Sequence, residues 1–211
     1  MDRFSRRDFV FLSSGAVAGN MLVGGLAEAD DADLRGLDFS NSGLVTGNPK
    51  PLKHAAIPGF LSAEQIAPHH KAHYGGALKR AVNSKGNSVV LHEMYFDGLA
   101  PKSPDPRADV RKAIEHRFGS IENWASDFIA SGKEAAGWAM LVKHPANGKL
   151  YNVVSDEHAM GVLWMARPLV VIDTYEHAFY IDYQHRKAEY VEKFIDYVDW
   201  AEVNSRFGSQ S

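Results

Sequence analysis

The sequence predicts an α+β fold, in which helices come first along the chain and a small antiparallel sheet follows. Helix-capping and helix-stop signals dominate up to about residue 131. Two runs of β-type residues then occur at 138–144 and 149–155, joined by a hairpin signal at Asn147-Gly148. A third run, 168–173, is rich in Val and Ile and supplies a third strand.

The first helix begins at Ser62-Ala63-Glu64-Gln65, which has the form of a capping box. It is predicted to run to about Val82, with an early kink at Pro68. A helical hairpin results, because a short loop leads into a second apolar helix. The further predicted helices are 88–96, 109–118, 120–131 and 187–198, with a last turn or two within 199–206.

Residues 1–29 have the features of a twin-arginine export signal. Arg6 and Arg7 precede a weakly apolar stretch, 10–26, that Gly and Ser dilute too much for a permanent membrane anchor. Ala27-Glu28-Ala29 fits a small-x-small cleavage site. We therefore expect a mature, exported protein, periplasmic and free of the membrane once processed. The alternative is an apolar N-terminal helix with two chance arginines.

The mature chain is expected to form two parts. Residues 30–100 hold an N-terminal arm and the helical hairpin, and residues 101–211 form a C-terminal α/β domain. The arm, 30–60, contains several Gly, Asn and Pro residues without periodicity, so we expect extended chain over the surface. The proline-rich segment 101–106 marks the change to the C-terminal part.

Composition excludes several classes of protein and site. The 211 residues are 45% hydrophobic and 23% charged, which is typical of a globular protein. A net charge of −3 gives no support for a nucleic-acid partner. The absence of cysteine from the sequence excludes disulfides, thiolate zinc sites, iron–sulfur clusters and a cysteine nucleophile. Nucleophilic hydrolysis and phosphate binding have little support, because the sequence contains neither a Gly-x-Ser-x-Gly nucleophile elbow nor a phosphate-binding glycine loop.

The ten histidines make a metal site the leading chemical hypothesis. Asp173 ends a predicted buried strand, and His177 follows four residues later, so both side chains can aim at one point. The helical hairpin can add two more ligands: one of His69, His70 and His73, together with His92. Three imidazoles and one carboxylate suit iron, manganese or zinc. Scattered core or surface histidines are the alternative.

Four motifs resemble those of the iron/manganese superoxide dismutase family. Residues 173–183 resemble its D-x-W-E-H-A-Y-Y-x-D-Y signature, with Tyr175 in place of Trp and Phe179 in place of Tyr. The other three are 61–73, similar to the first-helix motif, 92–96, similar to the second-helix ligand segment, and 137–141, similar to the G-W-x-W-L strand start. They occur in the family's order and span residues 50–207.

The resemblance implies a superoxide dismutase, which converts superoxide into dioxygen and hydrogen peroxide at one iron or manganese ion per subunit. The implied metal ligands are His69, His92, Asp173 and His177. His73 would lie next to the ligands without binding the metal itself. The family forms dimers in which a glutamate of one subunit bonds a ligand histidine of the other. The resemblance therefore also implies a homodimer through Glu176, His177 and Tyr180.

The sequence departs from the family at three points. The family's gateway tyrosine falls at Ala77, which cannot hydrogen-bond, and Tyr74 lies on another helical face. The glutamine that bonds the metal's solvent ligand falls at Ser88 or His158, and we expect His158 to be the donor there. Histidine at this place inclines the metal assignment slightly to iron. The helical hairpin is also markedly shorter than is usual, so tetramers formed through it are disfavoured.

These departures leave two alternative functions open. One is a different redox enzyme, with a peroxidase-like activity, at the same metal site. The other is an exported iron- or manganese-binding protein that keeps the dimeric fold without turnover. Lys187, next to Arg186, corresponds to a family arginine that would steer superoxide, although both residues could equally be the solvated start of the last helix.

Overall fold

A computed structural model describes residues 39–81 and 85–208. The predicted export signal and the first part of the arm therefore lie outside the described residues. The described residues all fall within one compact unit of the chain. Within these two ranges, no helix has the length and apolar character needed to cross a membrane.

The predicted elements occur in the predicted order, two helices that were not predicted (residues 43–46 and 176–183) are added to them, and the α+β class is confirmed. In the N-terminal part they are α1 (Gly43–Thr46), α2 (Ala63–Pro68), a π-helical segment (His69–Tyr74), α3 (Gly75–Leu78) and α4 (Gly86–Asp97). Two helices then precede the sheet, α5 (Ala108–Phe118) and α6 (Ile121–Glu134). The strands are β1 (Trp138–Lys143), β2 (Leu150–Ser155) and β3 (Arg167–Asp173). The chain ends with α7 (Glu176–Tyr183), α8 (Lys187–Phe194), a 3₁₀ turn (Ile195–Tyr197) and α9 (Trp200–Phe207).

The first predicted helix is not α-helical throughout. Ser62 accepts a hydrogen bond from the Gln65 amide at 3.1 Å, as expected of an N-cap. Directly after Pro68 the backbone changes to a π-helix over His69–Tyr74. A π-helix bonds residues five apart and is frequently found at functional sites. The sequence did not predict this change, because helix periodicity alone does not distinguish the two forms over one turn.

The three strands form the predicted antiparallel sheet, and their order in it is β2-β1-β3. Trp138 at the start of β1 pairs with Ser155 of β2 and with Asp173 of β3. The β1–β2 turn closes at Asn147-Gly148, where Gly148 adopts a φ of 65°. The central strand β1 is almost wholly buried. Asp173 therefore lies in the interior, because it pairs with Trp138 at the start of that strand.

The arm is not extended throughout, contrary to the prediction. Residues 43–46 form a helical turn. The buried Gly43 amide donates to Glu93 Oε1 at 2.7 Å, and Tyr74 donates to the same oxygen at 2.8 Å. A Cβ at Gly43 would stand 2.7 Å from the Tyr74 hydroxyl, so only glycine fits here. The acceptor that organises this turn lies 50 residues away, so local sequence could not reveal it.

Two buried polar side chains hold the site elements in place. Tyr190 donates to the backbone carbonyl of Asp173 at 2.8 Å, and its oxygen lies 3.0 Å from that of Tyr95 in α4. Arg206, 2% exposed, donates to the carbonyls of Leu169 in β3 and Met94 in α4. Hydrogen bonds of this kind satisfy carbonyls that would be costly to bury unpaired.

Candidate metal centre

Four side chains meet where the end of β3 contacts the helical hairpin, which is formed by the first helix and α4. One ligand atom from each lies within 4.8 Å of all the others: His69, His92, Asp173 and His177. The Nε2 atoms of His69, His177 and His92 lie 3.0, 3.2 and 3.6 Å from Asp173 Oδ2. Three imidazoles therefore converge on one carboxylate oxygen in the interior.

The turn from β3 into α7 supplies two of these groups. Asp173 is fully buried, and its Oδ1 accepts the amide of Tyr175 at 3.0 Å, which leaves Oδ2 facing the histidines. Tyr175 precedes α7, so His177 lies in the first turn of that helix. The spacing of four residues thus brings both side chains to one point, as the sequence indicated.

The helix pair supplies the other two. His69 begins the π-helical segment, and His92 lies in the middle of α4, both almost wholly buried. The Nδ1 of His92 lies 2.6 Å from the carbonyl of Ser88, which can only accept, so the proton of neutral His92 is on Nδ1. His92 Nε2 then has a free lone pair.

The free lone pair of His92 tests whether the site fits a metal ion. His92 Nε2 is buried and has no hydrogen-bond partner within the described residues. A buried polar atom without a partner is costly unless something binds it. Three imidazoles and a carboxylate are also the donors that iron and manganese accept. The residues present therefore fit such an ion.

Electrostatics favour the forms that bind a cation. Burial lowers the pKa of His92 to about 3, and it lowers the pKa of His69 even beside Asp173. Burial alone would raise the pKa of Asp173, but hydrogen bonds with His177 and His69 outweigh it and lower this pKa. At neutral pH the cluster therefore has one carboxylate and neutral imidazoles at His69 and His92, as metal ligands must be.

The structure brings two further predicted residues against this cluster. The rings of His73 and His177 stack with centroids 3.9 Å apart. The ring of His158 lies 6.5 Å from that of His92, and its Nδ1 accepts from Trp138 Nε1 at 2.9 Å. Burial lowers the pKa of both His73 and His158.

Other candidates lie apart from the cluster. His70 Nε2 lies 2.7 Å from the carbonyl of Lys50, so it is not the histidine that faces Asp173. Ala77 is 3% exposed and offers no hydrogen-bonding group. Tyr180, half exposed on α7, and the exposed Glu176 face outward.

The charged residues proposed to steer superoxide have partners elsewhere. Lys187 donates to the carbonyls of Lys133 and Ala135 at the end of α6, where a cation is favoured. Burial lowers the pKa of Lys187. Arg186 pairs with Glu189 at 2.8 Å. Arg186 also donates to the carbonyl of Asp182 near the end of α7, so the two residues hold helix ends together in this structure.

Sequence reasoning missed two side chains that support the site. Gln65 donates to the carbonyl of His177 at 2.7 Å and accepts the amide of Ile181 at 2.8 Å. The capping-box pattern suggested that this side chain would turn back to Ser62, whose amide instead donates to Asp182. Tyr175 packs between His158 and His177 and was noted only as a departure from a motif.

Comparison with known proteins gives one consistent family. Residues 106–206 match the model of the C-terminal domain of iron/manganese superoxide dismutases. An iron superoxide dismutase of Cupriavidus metallidurans is 32% identical over 76% of this chain and 95% of its own length. One from Aquifex aeolicus is 33% identical over 70% of this chain and 84% of its own length. A manganese superoxide dismutase of Haloferax volcanii is 28% identical over 76% of this chain and 94% of its own length.

Proposed function

Because this chain belongs to the iron/manganese superoxide dismutase family, we propose that it converts superoxide into dioxygen and hydrogen peroxide at the His69, His92, Asp173 and His177 cluster. The observation that carries the proposal is the buried His92 Nε2, which has no hydrogen-bond partner in the described part of the chain and faces Asp173. One redox-active iron or manganese ion per subunit would be held by these four residues. Such an ion supplies the alternating gain and loss of one electron that dismutation requires.

The protein residues supply negative charge to hold the ion and protons for the reaction. Asp173 contributes one buried negative charge, and the imidazoles of His69 and His92 are neutral, so the site favours a cation. Hydrogen peroxide contains two protons, which must enter the site. His158 accepts from Trp138 at Nδ1, so neutral His158 has its proton on Nε2 and can donate it there. Ala77 can donate none, which makes His158 and the stacked His73 the nearby candidates.

The identity of the ion is part of the proposal. We infer iron, because the residue next to Trp138 is His158 where the family usually has glutamine. Relatives named for iron and for manganese both match this chain, so the family alone does not choose. Metal analysis of the protein purified from its own source, without added metal, tests this inference, and manganese at full occupancy would overturn it.

Dimer formation and export are further parts of the proposal. Glu176, Tyr180 and Ile181 are exposed together on α7, and the last two are 53% and 52% exposed. A patch of large apolar side chains on a helix is typical of an interface. We propose that a second copy covers this patch and that His177 reaches it. Arg6-Arg7 and Ala27-Glu28-Ala29 support export through the twin-arginine route.

The deciding experiment is stopped-flow decay of superoxide, normalised to bound iron or manganese. His92→Ala and Asp173→Ala should bring the rate down to that of the free ion, because each removes a side chain of the cluster. His144→Ala, in the β1–β2 turn, is the matched control and should keep the rate. Metal-loaded protein without decay above the free ion would contradict the proposal. That result would favour one of two alternatives: a different redox enzyme at the same site, which Ala77 favours, or an exported metal-binding protein without turnover.

A further inference from the structure

The loop formed by residues 156–160, which contains His158, has an unusual backbone. Glu157 and His158 have φ values of 49° and 67°, in the left-handed region that non-glycine residues rarely adopt. The loop is closed by paired backbone hydrogen bonds between Asp156 and Met160. Asn87 of α4 donates to the carbonyl of His158 at 3.0 Å. Such a backbone persists only where its surroundings hold it.

One aromatic side chain contacts this loop and the cluster at once. The ring of Tyr175 stacks on that of His177 at 5.3 Å with an interplanar angle of 13°. The same ring lies 5.4 Å from the ring of His158 and 6.2 Å from that of Trp138, nearly perpendicular to the latter. Tyr175 therefore touches the donor and the acceptor of the Trp138–His158 hydrogen bond.

The hydroxyl of Tyr175 points to the base of the loop and away from the cluster. It lies 3.1 Å from the place where a Cβ on Gly137 would stand, so the glycine leaves room for it. The same place lies 3.1 Å from the Cα of Asp156, so the hydroxyl is next to the backbone that leads into the loop. The hydroxyl therefore lies beside the backbone that leads to His158.

We propose that Tyr175 is a positioning residue, which holds His158 in its left-handed backbone and against Trp138 through its ring and its hydroxyl. The inference rests on the proposed function, because it concerns how the donor of that site is oriented. It assigns Tyr175 no contact with substrate. Tyr175 acts on the chemistry through His158, so its effects should disappear when His158 is removed.

The test uses the full chain carrying its own metal and compares Tyr175→Phe with Tyr151→Phe. Tyr151 accepts from Asn147 in the β1–β2 turn, and its hydroxyl takes no part in the loop. Two quantities are measured: deuterium exchange of the peptide 156–160, and the pH at which the visible absorption of the oxidised centre changes. Neither needs turnover, so the inference can fail while dismutation stands, and the reverse.

Tyr175→Phe should raise exchange in 156–160 several-fold and shift the spectral transition in the same direction as His158→Ala. The double variant should show the shift of His158→Ala alone, because the two residues act in series. Tyr151→Phe should match the wild type in both. Wild-type exchange and an unshifted transition in Tyr175→Phe would overturn the proposal, as would additive shifts. If Tyr175→Phe does not fold, Tyr175→Trp, which also lacks the hydroxyl, is judged by the same two results.

Discussion

The indole N–H of Trp138 donates to Nδ1 of His158 at 2.9 Å. An indole nitrogen can only donate, so Nδ1 of His158 must be without its proton. Burial, followed by the charge of Lys85, lowers the pKa of His158, which keeps the ring neutral in this tautomer. The remaining proton is therefore on Nε2, and His158 is a donor in the direction opposite to Trp138.

His158→Gln should keep a large part of the dismutation rate, whereas His158→Ala should lose about 10- to 100-fold, as is usual for groups that orient a metal site. Glutamine can accept from Trp138 with its oxygen and donate with its nitrogen, so it reproduces both roles. Rates per bound metal at neutral pH check this. Equal rates for His158→Ala and the wild type would show that His158 is not the donor.

Gln65→Leu should destabilise the protein by about 1–3 kcal/mol, because the carbonyl of His177 and the amide of Ile181 lose a buried partner. It should also weaken metal retention, since α7 then moves relative to α2. Urea unfolding and metal content after dialysis are the measurements. Glu64→Leu, on the exposed side of the same helix, is the control. If Gln65→Leu loses no more stability than Glu64→Leu, the role given to Gln65 is wrong.

Ala77→Tyr should destabilise the protein by about 1–3 kcal/mol, since position 77 is buried and a large ring must displace its neighbours. The gateway tyrosine of the family therefore cannot be restored by this single change. Thermal unfolding measures the loss. An unchanged midpoint together with a faster dismutation rate would instead show that space for the hydroxyl exists.

Ile181→Lys should convert a dimer into a monomer, because a charge would be buried in the proposed interface on α7. Trp164→Lys is the matched control, since Trp164 is 83% exposed on the loop that follows His158 and lies outside the proposed interface. Sedimentation velocity at micromolar concentration distinguishes the two forms. A monomeric wild type would contradict the proposed dimer. Dissociation caused by Trp164→Lys alone would place the interface elsewhere on the protein.

Asp199→Ala should cost about 1–2 kcal/mol at neutral pH, because Asp199 caps α9 and pairs with Lys53. Burial alone would raise the pKa of Asp199, but Lys53 and the cap amides outweigh it and lower the pKa. Its contribution is therefore complete above the ordinary value of 3.8 and is lost as the pH falls through the lower folded value.

Urea unfolding of wild type and Asp199→Ala at neutral pH and below pH 3.8 checks this dependence. The difference between the two proteins should shrink in acid. Asp196→Ala, at the exposed residue of the 3₁₀ turn, should show no such difference at either pH. A difference that persists undiminished in acid would mean that the carboxylate charge contributes nothing.

The strand-to-helix segment shows how much local sequence determines. Asp173 and His177 could be paired from the sequence, because a strand end and a helix start four residues apart face one point. The hairpin at Asn147-Gly148 and the cap at Ser62 were equally accessible, since each depends on residues within a few positions. The four motifs in order then indicated the family, and with it the proposed chemistry.

Local sequence by itself left open which histidine of the first helix faces Asp173; the family resemblance implied His69, and the tertiary structure shows His69 there. His69, His70 and His73 were equivalent by composition, and the π-helical segment places His69 in the cluster, His70 on Lys50 and His73 against His177. The partners of Gln65, Glu93 and Tyr175 likewise lie far along the chain. Sequence periodicity describes one element at a time, whereas these hydrogen bonds and ring contacts depend on how separate elements pack together.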